Sequence, residues 1–102
     1  DKLFLNSRLT LEDFSTRIGV PSRQVSAIIN RHLNQNFHEF VNKHRVDEAK
    51  RILGDLTNQQ QNVMEIATTV GFNSKPAFNR FFKKFTGLTP SEYRDQTTRS
   101  LS

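Results

Sequence analysis

The sequence contains no cysteine and no tryptophan, and its 102 residues include only one tyrosine, four glycines and three prolines. Without cysteine there is neither a disulfide framework nor a thiolate metal site, which fits a reducing compartment. No apolar run approaches the roughly 20 residues that a membrane-spanning helix needs. The first residues also lack the charged and then apolar pattern of a signal peptide, and because the chain begins with Asp1 we expect a fragment of a longer protein.

Side chains for catalysis or metal binding are also sparse. The three histidines, His32, His38 and His44, follow one another at intervals of six residues, so a helix would direct them to different sides. None forms the i, i+4 pair that suits a metal ion. Helix caps and surface charge explain the adjacent carboxylates of Glu12-Asp13 and Asp47-Glu48, and no nucleophile or glycine-rich phosphate loop accompanies them. We therefore predict that the chain is not an enzyme and has no cofactor.

Acidic residues are outnumbered by basic ones, 10 to 15, which gives a net charge of +5 and a pI of about 10.1. Two long stretches carry the imbalance, since no acidic residue occurs between Asp13 and Glu39 or between Glu65 and Glu92. Such a distribution favours a polyanionic partner. Apolar residues make up 34% of the chain and include nine phenylalanines, enough for the modest core of one small domain or of two subdomains sharing a helix.

The stretch from Val63 to Arg94 predicts three short helices with two sharp joints, at Gly71 and Gly87. One side of the middle helix is aromatic, at the i, i+3, i+4 and i+7 spacing of a buried face: Phe78, Phe81, Phe82 and Phe85. Its other side is basic and amide-bearing: Lys75, Asn79, Arg80 and Lys83. The short glycine-containing turn before it is typical of a helix-turn-helix, whose second helix enters a DNA major groove.

The first half of the chain repeats this pattern. Thr10 and Gly19 match Asn62 and Gly71 at an offset of 52, and each cap residue is followed three positions later by an acidic residue, as in a capping box. Beyond the glycine the offset becomes 53. The aligned apolar residues are Val25, Ile28 and Ile29 in the first copy and Phe78, Phe81 and Phe82 in the second. Because the match spans caps, helix ends and core positions, we infer that the unit occurs twice.

A longer helix, predicted from Asn36 to Leu53, joins the two copies and is about 25 Å long at about 1.5 Å per residue. The predicted fold class is all-α, with two helix-turn-helix subdomains of homeodomain-like three-helix units joined by this connector helix. The first subdomain is residues 1–54, with the connector at about 36–53, and the second is residues 55–102. We expect the recognition helices at about 22–33 and 74–85, a mobile polar loop at 55–61, and fraying from Gln96 onward.

The second half of the chain resembles the signature of AraC/XylS-type transcription regulators. The matching runs are Ile66-Ala67-x-x-Val70-Gly71-Phe72-x-Ser74, Phe78-x-Arg80-x-Phe82-Lys83-Lys84 and Gly87-x-Thr89-Pro90-Ser91-Glu92-Tyr93-Arg94. Arg45-x-x-x-Ala49 with Ile52-Leu53 is similar to that family's connector. The resemblance covers about Leu9 to Arg94 and implies a bipartite DNA-binding domain, with two recognition helices in successive major-groove segments on one face of the duplex.

The resemblance also implies which side chains contact DNA. In the first recognition helix these are Arg23, Ser26, Ala27, Asn30 and Arg31. In the second they are Lys75, Pro76, Asn79, Arg80 and Lys83. We expect Arg80 to donate to a guanine edge and Asn79 to pair with adenine. The residues expected on phosphates, which position the protein without specifying sequence, are Lys75, Lys83, Lys84 and Arg31.

Three positions depart from the family pattern. Pro21 stands where the family often has a capping serine, so we expect the first recognition helix to start one residue late. Asn34 replaces the glycine that usually closes that helix, although asparagine tolerates the left-handed conformation. Pro76 replaces a residue that is usually polar, which removes one base contact.

Double-stranded DNA is the expected partner, with no small-molecule ligand in this fragment and any dimerisation through a region upstream of Asp1. We expect a cytoplasmic, nucleoid-associated location, and the segment from Ile29 to Val46 also resembles a subgroup whose DNA-binding domain follows a membrane-borne sensor. The competing hypothesis is a helical interaction module for an acidic protein such as an RNA polymerase subunit. RNA binding on the phenylalanines is a third hypothesis, but their spacing favours core packing.

Overall fold

The computed structural model describes residues 2–55 and 61–100 of the chain, and this part is helical throughout apart from its turns. The elements are a 3-10 helix at Lys2–Leu5 and six α-helices, namely α1 Leu11–Ile18, α2 Ser22–Leu33, α3 Phe37–Leu53, α4 Val63–Thr69, α5 Lys75–Thr86 and α6 Pro90–Ser100. The all-α prediction is therefore confirmed for the described residues. The molecule is elongated, with extents of 48 × 22 × 22 Å.

The internal repeat reappears in the helix boundaries. The helices α2 and α5 each have 12 residues and begin at Ser22 and Lys75, and α3 and α6 begin at Phe37 and Pro90, again 53 residues apart. The capping boxes predicted at Thr10 and Asn62 are confirmed by reciprocal hydrogen bonds, and the same arrangement occurs at Asn36 and Thr89. Each box satisfies two backbone N–H groups at a helix start.

The start of α2 differs from expectation, whereas its end agrees with it. The late start expected from Pro21 is wrong, because α2 begins at Ser22, the position that matches the start of α5. Pro21 is the N-cap without a side-chain hydrogen bond, and its φ of −56° lets the helix follow directly. At the other end, Asn34 closes α2 with φ 52° and ψ 41°, as predicted for an asparagine that tolerates the left-handed region.

The larger hydrophobic core lies in the second unit. The predicted aromatic face is confirmed, since Phe78 and Phe82 are fully buried and Phe81 is nearly so, while Phe85 is partly buried at the edge. The C-terminal half of α3 enters this core through Val46, Ala49, Ile52 and Leu53. The connector helix is thus shared between the two units rather than lying between them.

The core of the first unit is smaller and rich in phenylalanine. Phe4 packs against the rings of Phe14 and Phe40 at centroid distances of 5.8 and 5.7 Å. Val25 and Ile29 are buried as predicted, but the prediction for Ile28 is wrong, because 52% of its surface is exposed. Ile28 lies at the margin of the buried stripe of α2, where it lines a shallow apolar groove between α1 and α2.

The C-terminal helix continues further than expected. Fraying was predicted from Gln96, but α6 extends to Ser100. Thr97 donates a hydrogen bond to the Tyr93 carbonyl at 3.0 Å, and its methyl group lies beside Gly54 at the end of α3. The second contact places Thr97 against the end of α3. The loop expected to be mobile lies largely outside the described residues, at 56–60.

No helix in the described ranges has both the length and the apolar character needed to cross a membrane.

Candidate nucleic-acid interface

The helix α5 presents its polar side to solvent while its aromatic side is buried. Ser74 begins the helix by accepting a hydrogen bond from the Ala77 N–H at 3.2 Å, and Pro76 occupies the first turn. The predicted contact residues on this helix lie on the solvent side: Lys75, Pro76, Arg80 and Lys83 are exposed and Asn79 is partly exposed. Because α5 contains no acidic residue, this face offers cationic and amide donors without internal compensation.

The guanidinium of Arg80 lies over the ring of the neighbouring Phe81, with Cζ 5.1 Å from the ring centroid. Such a cation–π contact at an exposed site is worth about 0.5–1 kcal/mol. It limits the rotamers of a side chain that otherwise reaches freely into solvent. The outer edge of the guanidinium keeps its donors available for an anionic or base-edge acceptor.

Lys84, which we expect to contact phosphate, has an ion-pair partner within the chain. Its ammonium lies 2.8 Å from Glu39 Oε2 on α3 and near the ring of Phe85. The hydrogen bond from Lys84, followed by that from the Asn36 N–H, lowers the pKa of the Glu39 carboxyl. Lys84 thus lies on the side of α5 that faces the connector helix, and it links the two units.

The helix α2 presents a second polar face. Arg23, Ala27, Asn30 and Arg31 are exposed and Ser26 is partly exposed. The Asn30 amide nitrogen donates to the Ser26 carbonyl at 3.0 Å, which fixes this side chain along the helix. The arginines mark the two ends of the face, and α2, like α5, contains no acidic residue.

Two of the three histidines have structural contacts on α3. His38 meets the Phe81 ring edge-on at 5.3 Å and lies 3.2 Å from the Asn42 amide nitrogen. His44 stacks on Phe4 at 4.3 Å and meets the Phe40 ring edge-on at 4.9 Å, and partial burial lowers its pKa. Within residues 2–55 and 61–100, no three metal-ligating side chains are grouped to hold an ion.

Sequence reasoning missed the role of Arg45, which is only 7% exposed at the middle of α3. Its guanidinium donates to the carbonyls of Phe4 and Asn6 at 2.7 and 2.8 Å and to Asn42 Oδ1 at 2.9 Å. Burial lowers the pKa of Arg45. The available signal was positional, because Arg45 lies four residues from Ala49 on the apolar stripe of α3.

Comparison with known proteins agrees with this geometry. Residues 14–96 match the family described as a helix-turn-helix domain, and a solved AraC-type DNA-binding domain shares the fold. The chain belongs to the AraC-type helix-turn-helix family. The matched range includes both repeated units and the connector helix, so the AraC-type assignment covers all six α-helices in part or in full.

The curated relatives of this AraC-type chain are longer proteins. An uncharacterized HTH-type transcriptional regulator of Staphylococcus aureus (strain COL) is 34% identical over 93 residues, which are 91% of this chain and 12% of the relative. The HTH-type regulator YisR of Bacillus subtilis (strain 168) is 32% identical over 94 residues, 92% of this chain and 32% of the relative. The chain thus spans about an eighth to a third of these relatives.

Solved structures are also similar to the chain. The C-terminal domain of AraT, a response regulator from Geobacillus stearothermophilus, is 32% identical with a TM-score of 0.76, covering 93% of this chain and 76% of that one. The C-terminal domain of the response regulator yesN from Fusobacterium nucleatum is 31% identical with a TM-score of 0.70, covering 89% and 85%. A regulator from Chromobacterium violaceum, at 24% identity and a TM-score of 0.77, shares the fold.

Proposed function

We propose that this chain is the sequence-specific, double-stranded DNA-binding domain of a transcription regulator. In this proposal α2 and α5 are recognition helices that lie in successive segments of the major groove. The residues that carry the contacts are Arg23, Ser26, Ala27, Asn30 and Arg31 on α2 and Lys75, Pro76, Asn79, Arg80 and Lys83 on α5. Arg80 and Asn79 read base edges, and the lysines and Arg31 bind phosphates.

The observation that carries the proposal is that α2 and α5 present the same kind of surface, once in each unit. Each unit buries the apolar side of its second helix and exposes a polar side that is free of acidic residues. A single basic helix would be weak support, since many soluble proteins have one. Two such helices at matching positions of a repeated helix-turn-helix are typical of DNA recognition.

The dimensions of the molecule support the same conclusion. One helical turn of DNA is about 34 Å, and the chain extends 48 Å along its longest axis. A protein of this length has room to contact two adjacent major-groove segments. We also infer a division near Gly54 into a first unit at residues 1–54 and a second at 55–102, with α3 packing against both.

Duplex binding should weaken steeply with salt. We expect the logarithm of the association constant for a labelled duplex to fall linearly with the logarithm of salt concentration, because phosphate contacts release counterions with a slope of about −0.9 per contact. Lys83→Ala should make that slope shallower by about one unit and weaken all sequences alike. The measurement is fluorescence anisotropy between about 50 and 200 mM salt. Lys43→Ala, which removes a partly exposed lysine on α3 that pairs with Asp47, is the matched control.

The same titration tests the competing hypothesis. No binding to any duplex at low salt would overturn the proposed function and favour an interaction module for an acidic protein partner such as an RNA polymerase subunit. Binding to single-stranded RNA in preference to duplex would favour the RNA hypothesis, which the burial of Phe78, Phe81 and Phe82 already disfavours.

Arg80→Ala should relax the base preference at one position of the selected site by roughly 1–3 kcal/mol, because a bidentate arginine–guanine contact is lost. The site is first obtained by selecting bound sequences from a random duplex pool, and each base is then varied in competition assays. Arg17→Ala, which removes an exposed arginine from α1, is the control and should leave the preference intact. An unchanged base-preference profile for Arg80→Ala would refute the assignment of Arg80 to base reading.

A further inference from the structure

Three parts of the chain that are distant in sequence meet around one buried side chain. Arg45 of α3 donates to the carbonyls of Phe4 and Asn6, which belong to the segment that leads into the first unit. Gly71, in the turn of the second helix-turn-helix, approaches the same place, since a Cβ atom there would lie 2.9 Å from Arg45 Nε. The guanidinium is also 5.9 Å from the ring of Phe72. This meeting point is called the Arg45 joint below.

The segment held by Arg45 contacts both units. The Phe4 side chain is buried among Phe14, Phe40 and His44 in the first unit. The next residue, Leu5, packs on the core of the second unit, and its carbonyl oxygen faces Gly71. The 3-10 helix therefore contacts both units. Arg45 holds the backbone of this segment through its hydrogen bonds to the carbonyls of Phe4 and Asn6.

The chemistry of the joint is directional. A guanidinium is planar and presents its donors in a fixed fork, so oxygens on three sides of it can be satisfied in one arrangement only. Among the described residues, Arg45 has no carboxylate partner in any ion pair. Burying a cation costs desolvation energy that its hydrogen bonds must offset, so the clearest consequence of this arrangement is a fixed geometry.

We infer that Arg45 is a positioning residue that sets the placement of the second helix-turn-helix unit relative to the first, and thereby the spacing of the two DNA segments that the domain reads. This inference rests on the proposed function. Two linked binding modules gain affinity only when both can engage at once. A joint that fixes their separation makes the domain intolerant of DNA segments at other spacings.

The test compares Arg45→Met with Arg51→Met, a matched control. Arg51 is on the same helix but is exposed and pairs only with Glu48 among the described ion pairs. Affinities are measured for duplexes that contain the two DNA segments bound by the two units. The segments are separated either as in the selected site or by one or two base pairs more or fewer. The wild type and Arg51→Met should lose about 100-fold at the wrong spacings, whereas Arg45→Met should lose less than about tenfold.

Affinity for a duplex that carries one segment alone should be the same in all three proteins, which separates positioning from a general loss of folding. A folded Arg45→Met protein that retains the wild-type spacing preference would overturn the inference. If Arg45→Met does not fold, Arg45→Lys decides in its place, because an ammonium keeps the charge but cannot serve three separated oxygens as the fork does.

A second measurement needs no DNA, so it stays decisive even if the wild type binds no duplex and the proposed function fails. The chain has no cysteine, so spin labels placed at Thr16→Cys and Asp95→Cys report one distance between exposed sites on α1 and α6. We expect a narrow distance distribution in the parent and in Arg51→Met, and a broad or shifted one in Arg45→Met. Identical distributions in all three would show that Arg45 does not set the placement of the units.

Discussion

Replacing Gly71 by alanine is expected to destabilise the domain by roughly 2–5 kcal/mol, the combined cost of backbone strain and overpacking. The backbone of Gly71 has φ 103°, a conformation that L-residues adopt only with strain. An added Cβ atom would also come within 2.9 Å of the Leu5 carbonyl oxygen and 2.9 Å of Arg45 Nε. Neither neighbour yields easily, because one is backbone and the other is held by three hydrogen bonds.

Gly87→Ala separates the two causes. Gly87 also has positive φ, 82°, but a Cβ atom there would meet nothing within 4 Å. This control should therefore lose only about 1–2 kcal/mol, from backbone strain alone. Urea denaturation followed by far-ultraviolet circular dichroism suits both variants, because the described fold is helical. Equal losses for the two alanines would mean that the contact at the Arg45 joint is not tight.

The elements that could be predicted from the sequence are those whose causes are local. A capping box needs residues three positions apart, and the aromatic face of α5 needs only helical spacing, so both are visible along the chain. The repeat strengthened each prediction, because two copies with the same caps and helix ends agree independently. Periodicity gives the direction of a buried helix face but not its width. Periodicity therefore places Ile28 in the core, although this residue lies at the margin of the buried face of α2.

The contacts that could not be predicted join residues far apart in sequence. Lys84 has its partner Glu39 at a separation of 45 residues, and Arg45 has its two carbonyl partners at separations of 41 and 39. Lys84 alone resembles an ordinary surface cation, and the position of Arg45 on the apolar stripe of α3 indicates burial but not its partners, which only the folded arrangement shows. The residues proposed to contact DNA are placed on exposed faces, and their roles stay predictions.

Phe82→Ala is expected to cost about 3–5 kcal/mol, the usual effect of removing a fully buried phenylalanine and leaving a cavity. Phe82 has no exposed surface and contacts the rings of Phe78 and Tyr93 at centroid distances of 5.7 and 5.5 Å. It therefore ties α5 to α6 as well as filling the core. Domains of this size have a total stability of about 5–15 kcal/mol, so a large share would be lost.

Phe85→Ala is the matched control, because Phe85 lies on the same helix and loses the same atoms but is only partly buried. Its loss should be less than half that of Phe82→Ala, since fewer contacts and a smaller cavity are involved.

The DNA affinity of Phe82→Ala tests whether α5 has one side that is buried in the core and another, exposed side that contacts DNA. Phe82 lies beside Lys83 in sequence, but Phe82 is buried in the core whereas Lys83 is exposed. Its removal should lower duplex affinity only in proportion to the unfolded fraction, and saturating duplex should raise the melting temperature, because DNA binds the folded state alone. A variant that is fully folded by circular dichroism but has lost base preference would instead make the aromatic side part of the DNA-reading surface.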